Sequence, residues 1–372
     1  MAAPWYSLSA MHELFEQFER LKNVEEKVAL ATLVNTRGTT PRKEGAKMLV
    51  GAGGRILGSV TIGGCVDAQV IEEAEGVLGD NTPKLLELNL GDEEAWEIGL
   101  TCGGTIEVFV EPLRLARTDA PPLAYYETLR AHAEQGGWGA LITRLDPPNN
   151  GAKLLLLDTG KTEGTLGDPF LDRRFAAEAR ECLSRGVSKT LFLEGIRCFV
   201  ETFGPPSTLL VVGAGHVAMP LVSLAKIVGF KTIVVDGRPR FASLERFPDV
   251  DRLEVGIPSE IVASIPLTPV TALVLVAHDY KYDLPVLRHA LASKAGYIGM
   301  LGSTRRGNAI LTLLREEGVP EDLLGRIRVP IGLDLGAQTA PEIALAILAE
   351  ILAERVGATG MPISRKVREG KR

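Results

Sequence analysis

The chain has 372 residues, 45% of them apolar and 24% charged, with a formal net charge of −6; this is the usual mix of soluble globular proteins and fills two or three domains. The acidic balance argues against a nucleic-acid surface, which is normally basic, and no run of about 20 apolar residues is present to span a membrane. The four cysteines are widely spaced without a C-x-x-C pair and the N-terminus lacks a basic region followed by an apolar one, so neither a disulfide framework, a zinc knuckle nor a secretory signal is expected, and a reducing cytoplasm is the simplest setting.

In chain order, apolar spacing first predicts an amphipathic helix over 8–22, with Leu8, Met11, Leu14, Phe15, Phe18 and Leu21 on one face. KVALATLVNT (27–36) is strand-like and runs into the loop RGTTPRKEG. AKMLVGAGGRILGSV then reads as two short strands joined by a glycine-rich turn. Its GAGGRI (51–56) shares two glycines with a dinucleotide fingerprint, but it ends in Ile56 and joins two strands, so it is read as a hairpin turn. Gly63-Gly64-Cys65 opens a helix that places Val66, Val70, Ile71, Ala74 and Leu78 on one side. Strands follow at 84–90 and 105–111, the second preceded by Cys102-Gly103-Gly104.

TDAPP (118–122) marks a seam. The middle segment beyond it mixes helices (123–134, 171–186) with strands (138–144, 153–158, 189–194, 196–203). FGPPS (203–207) is a proline–glycine hinge and the strongest boundary. No internal repeat or low-complexity segment stands out. After 207 strands and helices alternate, the mark of a parallel α/β sheet. STLLVVGAG leads into a helix over HVAMPLVSLAKIVGF, and KTIVVDGR is the second strand. TALVLVAHD, AGYIGMLGS and RIRVPIGL are later strands, and TAPEIALAILAEILAER is the last helix, with Thr339 and Glu342 at capping-box spacing. The expected fold is therefore α/β: a mixed α/β N-terminal domain over 1–203, which includes the middle segment 118–203, a Rossmann-like domain with a parallel sheet over 207–358, and a basic tail, 359–372, expected to be disordered.

Three groups of residues carry candidate chemistry. GAGHVA (213–218) fits G-x-G-x-x-A between a strand and a helix. There Gly213 permits the tight turn, Gly215 lets a phosphate approach the backbone, and Ala218 lets helix and sheet pack closely. Asp236 ends the next strand, where an acid usually meets a ribose 2′-hydroxyl. His216 would stand beside a bound phosphate. His278 and Asp279 in AHDYKYD, and Ser303 and Arg305 in GSTRR, follow later strands, at the sheet edge where ligands of open α/β sheets bind. Each also has a plainer role, as a loop or helix-cap residue. Cys182 and Cys198 fall on apolar faces and are read as core thiols. Cys65 and Cys102 are flanked by glycines instead, which leaves room for a bulky ligand, and Cys65 at a helix start is placed to favour the thiolate.

Taken together, TRGTTPRKEGAKMLV, GSVTIGGCVDAQVIEEA and CGGTIEVFVEP, with LLVVGAGHVAMPLVSLAKIVGFKTIVVDGRPRF, VAHDYKYD, YIGMLGSTRR and PIGLDLGAQTAPEIALAILAEI, resemble the XdhC/CoxI family of accessory proteins for molybdenum hydroxylases such as xanthine dehydrogenase. The resemblance spans both ends of the chain and leaves 118–203 uncovered. It implies a chaperone that binds the molybdenum cofactor (molybdopterin), promotes replacement of an oxo ligand by sulfur, and inserts the cofactor into an apo-hydroxylase. It also implies a cysteine desulfurase as second partner. The family glycine–cysteine motifs fall on Gly63, Gly64 and Cys65 and on Cys102, Gly103 and Gly104, with the two thiols as ligands of molybdenum or carriers of sulfur. A nucleotide or NAD(P) at the Rossmann turn, an NAD(P)-dependent oxidoreductase, and a regulatory nucleotide-binding scaffold stand as alternatives. A homodimer is the expected assembly.

Overall fold

The computed structural model describes residues 14, 18, 20–21, 25–38, 42–61, 65–89, 104–115, 121–277 and 280–365, with the backbone alone at 52, 65 and 280. The chain divides into two compact units, Tyr6–Pro205 and Pro206–Arg372, so the division falls inside the FGPPS hinge. Among the described residues no helix is long and apolar enough to cross a membrane.

The first unit contains two sheets built the same way. In the first, β1 (Lys27–Gly38), β2 (Lys47–Val50) and β3 (Ile56–Gly58) are followed by α1 (Cys65–Asp80), β4 (Lys84–Asn89) and β5 (Gly104–Arg114), with strand order β3-β2-β1-β5-β4. Helix α2 (Leu123–Glu134) then leads to the second set. This comprises β6 (Gly139–Arg144), β7 (Lys153–Leu157), β8 (Thr162–Gly164), α3 (Pro169–Arg185), β9 (Lys189–Leu193) and β10 (Ile196–Phe203), ordered β8-β7-β6-β10-β9. Each half is a β-β-β-α-β-β unit with every strand pair antiparallel. No repeat stands out in the sequence, but the topology is repeated. The GAGGRI segment is the β2–β3 turn, with Gly53 and Gly54 at φ 68 and 74.

Period-two alternation gives each sheet two faces. Outward residues Ala29, Ala31, Met48 and Val108 pack under Val70, Ala74 and Val77 of α1. In the second half Ala140, Ile142, Leu154 and Val200 pack under Phe175, Ala179 and Cys182 of α3. The inward faces meet in one core that joins Leu30 and Leu49 to Leu141 and Leu155, with Leu14, Phe18 and Leu21 of the N-terminal helical residues and Tyr126 of α2.

Inward polar residues are exchanged between the halves. Thr32 is opposite Lys47 and Leu30 opposite Glu111; in the same registers Thr143 is opposite Lys153 and Leu141 opposite Glu201. Lys47 Nζ lies 3.0 Å from Glu201 of the other half and 3.0 Å from its own Thr32. Lys153 Nζ lies 2.8 Å from Glu111 of the other half and 2.8 Å from its own Thr143. All four charged side chains are buried. Burial pushes the Glu201 carboxyl up, opposed by the Lys47 ammonium.

The second unit is a six-stranded parallel sheet. Its strands are β11 (Thr208–Val212), β12 (Lys231–Asp236), β13 (Arg252–Val255), β14 (Thr271–Leu275), β15 (Tyr297–Met300) and β16 (Ile327–Arg328), in the order β13-β12-β11-β14-β15-β16. Leu209 and Val211 face α4 (Ala218–Ile227) and α9 (Ala340–Val356), whereas Leu210 and Val212 face α5 (Pro258–Ser264), α6 (Tyr280–Ala292), α7 (Thr304–Glu316) and α8 (Glu321–Leu324). This is a Rossmann-like sheet, and its chain reverses direction of travel between β11 and β14, which opens a crevice at their carboxyl ends. Two predicted boundaries move. Helix α4 starts at Ala218, with His216 and Val217 in a turn, and β16 stops at Arg328, because Pro330 lacks the N–H a ladder needs. Thr339 and Glu342 form the expected capping box.

Candidate functional site

The crevice of the second unit holds a pocket of about 500 Å³ lined by Gly213, Gly215, His216, Asp236, Arg238 and Phe241 among others. Gly213 has φ +106, and a Cβ there would lie 2.7 Å from the Ala277 nitrogen, so the turn closes against the end of β14 only with glycine. Gly215 differs: a Cβ would meet nothing nearer than Val276 O at 3.7 Å. The space above it is open, which leaves backbone accessible to an anion at the start of α4. Ala218 is fully buried behind the turn. His216 is exposed on the pocket wall.

Asp236 is buried at the end of β12, and its Oδ2 accepts from Ala214 N at 2.6 Å and Arg238 Nη2 at 2.8 Å. Its Oδ1 accepts from Arg238 N and Arg238 Nε, both at 2.9 Å. Burial would raise this carboxyl, but the Arg238 guanidinium and the two backbone N–H groups prevail and hold it below its ordinary value. The Arg238 guanidinium lies 4.0 Å from the centre of the Phe241 ring, with Arg246 5.2 Å from the same ring. Arg246 Nη1 donates to Ala214 O at 3.0 Å and Phe241 O at 2.9 Å, which ties the turn to the loop after β12. Arg238 and Phe241 were not singled out by sequence; an arginine two residues after the strand-ending acid was the available signal.

Of the other candidates in this unit, Ser303 caps α7, accepting from Arg306 N at 3.3 Å, and Arg305 is exposed; neither lines the pocket. The inward arginine is Arg306, which pairs with the fully buried Asp283 and donates to Ala277 O at 3.4 Å. His278 and Asp279 lie outside the described residues.

In the first unit, strand register places the described residues that flank the glycine–cysteine segments. Gly38 is opposite Gly104 and Asn89 opposite Thr105, so the end of β1, the end of β4 and the start of β5 share one end of the sheet; β3 runs in the same direction as β1 but ends at Gly58, opposite Met48, which is itself opposite Ala31, seven residues before Gly38. The connections 39–46, 59–64 and 90–103 follow the ends of β1, β3 and β4 in turn. They contain Gly63 and Gly64, and Cys102 and Gly103, whose placement lies outside the described residues; Cys65 is the first residue of α1 and Gly104 the first of β5. The β3–α1 connection is anchored by Asp67, which is buried and accepts from Ser59 Oγ at 2.6 Å and Thr61 Oγ1 at 3.2 Å. Arg42 donates to Ser59 O, tying in the preceding connection.

Cys182 and Cys198 are buried in the core beneath α3. Burial pushes both thiols up, Cys198 to about 12, which keeps them protonated at neutral pH. No group of three or more His, Cys, Asp or Glu that would hold a metal ion occurs among the described residues.

Residues 209–351 match the model of the XdhC Rossmann domain, and residues 21–89 match that of the XdhC and CoxI family. A Bacillus subtilis protein described as a probable xanthine dehydrogenase subunit is 28% identical over 93% of this chain and 98% of its own length. The molybdenum cofactor insertion chaperone PaoD of Escherichia coli is 29% identical over 88% of this chain and 83% of its own. A crystal structure from Bacillus halodurans, described as a xanthine dehydrogenase, covers 91% of this chain and 94% of its own at 28% identity, with a TM-score of 0.74. Two family models on separate units, in order, and relatives aligned nearly end to end agree: the chain belongs to the XdhC/CoxI family.

Proposed function

We propose that this protein binds the molybdenum cofactor, promotes its sulfuration, and inserts it into a molybdenum hydroxylase of the xanthine dehydrogenase type. The observation that carries this is the pair of glycine–cysteine segments, Gly63-Gly64-Cys65 at the start of α1 and Cys102-Gly103-Gly104 at the start of β5, in one half of the first unit. Thiolates are soft ligands suited to molybdenum or to a travelling sulfur atom. The cofactor supplies the dithiolene-bound molybdenum that accepts sulfur. The chain's part is to hold it: Cys65 and Cys102 at the metal, the neighbouring glycines clearing space for the pterin, and Asp67 fixing the loop before α1. In the second unit the open backbone at Gly215 fits a phosphate, so the pocket there is assigned to the phosphate-bearing end of a cofactor or nucleotide. An apo-hydroxylase and a cysteine desulfurase are the proposed partners, the protein acts in the cytoplasm, and it works as a homodimer. The alignment with PaoD over most of both chains supports this reading.

The G-x-G-x-x-A turn and the strand order of the second unit favour one other reading, an NAD(P)-dependent oxidoreductase. Cofactor retention separates the two. The full chain mixed with molybdenum cofactor and passed through a desalting column is expected to retain molybdenum, and Cys65→Ala or Cys102→Ala to lose most of it with unchanged melting. Cys198→Ala is expected to retain it while losing about 1 kcal/mol of stability through lost core packing. Full retention by both Cys65 and Cys102 variants would remove the thiols from the site; steady NAD(P)H turnover with a small carbonyl substrate would favour the oxidoreductase.

A further inference from the structure

The acid that ends the second strand of a Rossmann sheet ordinarily accepts a hydrogen bond from a ribose 2′-hydroxyl, and an arginine nearby accommodates a 2′-phosphate instead. Asp236 stands at that position but has no capacity left. A carboxylate offers about four lone-pair sites, and Asp236 already accepts from Ala214 N, Arg238 N, Arg238 Nε and Arg238 Nη2. A ribose hydroxyl reaching this corner would find no free acceptor on Asp236.

What the corner offers instead is donors. The Arg238 fork spends one edge on Asp236; both hydrogens of Nη1 and the outer one of Nη2 meet no acceptor among the described residues. The side chain is about half exposed, lines the pocket, and its guanidinium lies over the Phe241 ring, 4.0 Å from the ring centre. Arg246 lies 5.2 Å from the same ring, and its own charge has no acidic partner among the described residues. The Asp236–Arg238 pair is neutral as a unit, so Arg246 leaves the corner with net positive charge.

We propose that this pocket selects a nucleotide whose ribose carries a 2′-phosphate over one with a free 2′-hydroxyl, with the outer edge of Arg238 binding the phosphate. The inference rests on the assignment of the pocket to a phosphate-bearing nucleotide, and deepens it by naming the class. It does not depend on molybdenum chemistry in the first unit.

Isothermal titration of the full chain with NADP⁺, NAD⁺ and CMP tests it. NADP⁺ is expected to bind at least about tenfold more tightly than the other two, the worth of a charge-assisted, bidentate contact. Arg238→Ala is expected to lose that preference and to bind NAD⁺ as well as or better than the parent, because lone pairs on Asp236 are freed. Gly215→Val, whose side chain would fill the open space above the turn, is expected to abolish binding of all three. Equal affinities for NADP⁺ and NAD⁺ in the unaltered chain overturn the inference while leaving the pocket a nucleotide site. So does an NADP⁺ preference that survives Arg238→Ala. Binding that survives Gly215→Val, or no binding of any of the three, overturns the inference and the assignment of the pocket together.

Discussion

The two halves of the first unit share strand order, register and core pattern, yet they differ where the strands end. In the second half β9 and β10 are joined by Glu194 and Gly195 alone, whereas the equivalent connection in the first half runs from residue 90 to 103 and carries Cys102. After the third strand the first half has SVTIGGCV and the second TLGDPFL. The anchoring acid is kept in both: Asp67 binds Ser59 and Thr61, and Asp172 binds Thr165 Oγ1 at 2.8 Å and Leu166 N at 2.6 Å. The scaffold is therefore duplicated, and the glycine–cysteine decoration is confined to one copy. Shared features report what the fold requires, and unshared ones point to chemistry.

The largest expected effect tests the shared part. Lys47→Ala and Lys153→Ala each strand a buried glutamate, and each is expected to cost about 3–5 kcal/mol in urea unfolding. Replacing both members of a pair by Met is expected to recover most of that loss, since a buried ion pair and an apolar pair of similar volume are close in stability. A Lys153 variant as stable as the parent would mean that the halves are not energetic equivalents.

A smaller effect tests the unshared part. Asp67→Asn and Asp172→Asn each weaken hydrogen bonds to a charged acceptor and are expected to cost about 1.5–3 kcal/mol. Only Asp67→Asn is expected to lower retention of molybdenum cofactor as well. Equal retention by both variants would separate the β3–α1 connection from the site.

The smallest effect uses the second unit as a reference outside both halves. Asp236 is held below its ordinary value of 3.8, so its contribution to stability is complete above that value and is lost as pH falls through the lower, folded-state one. Asp236→Asn is expected to melt earlier than the parent at pH 7, with the gap closing below about pH 4. A gap that stays constant down to about pH 2 would show that the carboxylate's charge does not matter.

Much of this architecture could be read from local pattern. Strand alternation after 207, the hinge at 203–207, the buried thiols Cys182 and Cys198 and the turn at Gly213 are all local signals. The duplication was hidden because it survives in burial and register while residue identity has drifted. Aligned on Asp67 and Asp172, the core-facing positions Val66, Val70, Ala74 and Val77 of α1 fall on Leu171, Phe175, Ala179 and Cys182 of α3, with one identity in four. Lys47 and Lys153 were hidden for a different reason: a lysine at a strand start reads as exposed, and only the other half supplies its glutamate. The position of Asp236 at the end of a strand was legible, but the saturation of its carboxylate depends on how the loop folds back, which spacing alone does not encode.

The crossed lysine–glutamate pairs follow the rule of an isologous interface, in which residue i of one protomer meets j of its partner and j meets i. Here one chain supplies both sides. A cut between β5 and α2 would therefore release two fragments that each present a lysine, a glutamate and a bare apolar sheet face to water. Such fragments would be expected to recover solubility by pairing, with each other or with second copies of themselves, so neither half is expected to persist as a monomer.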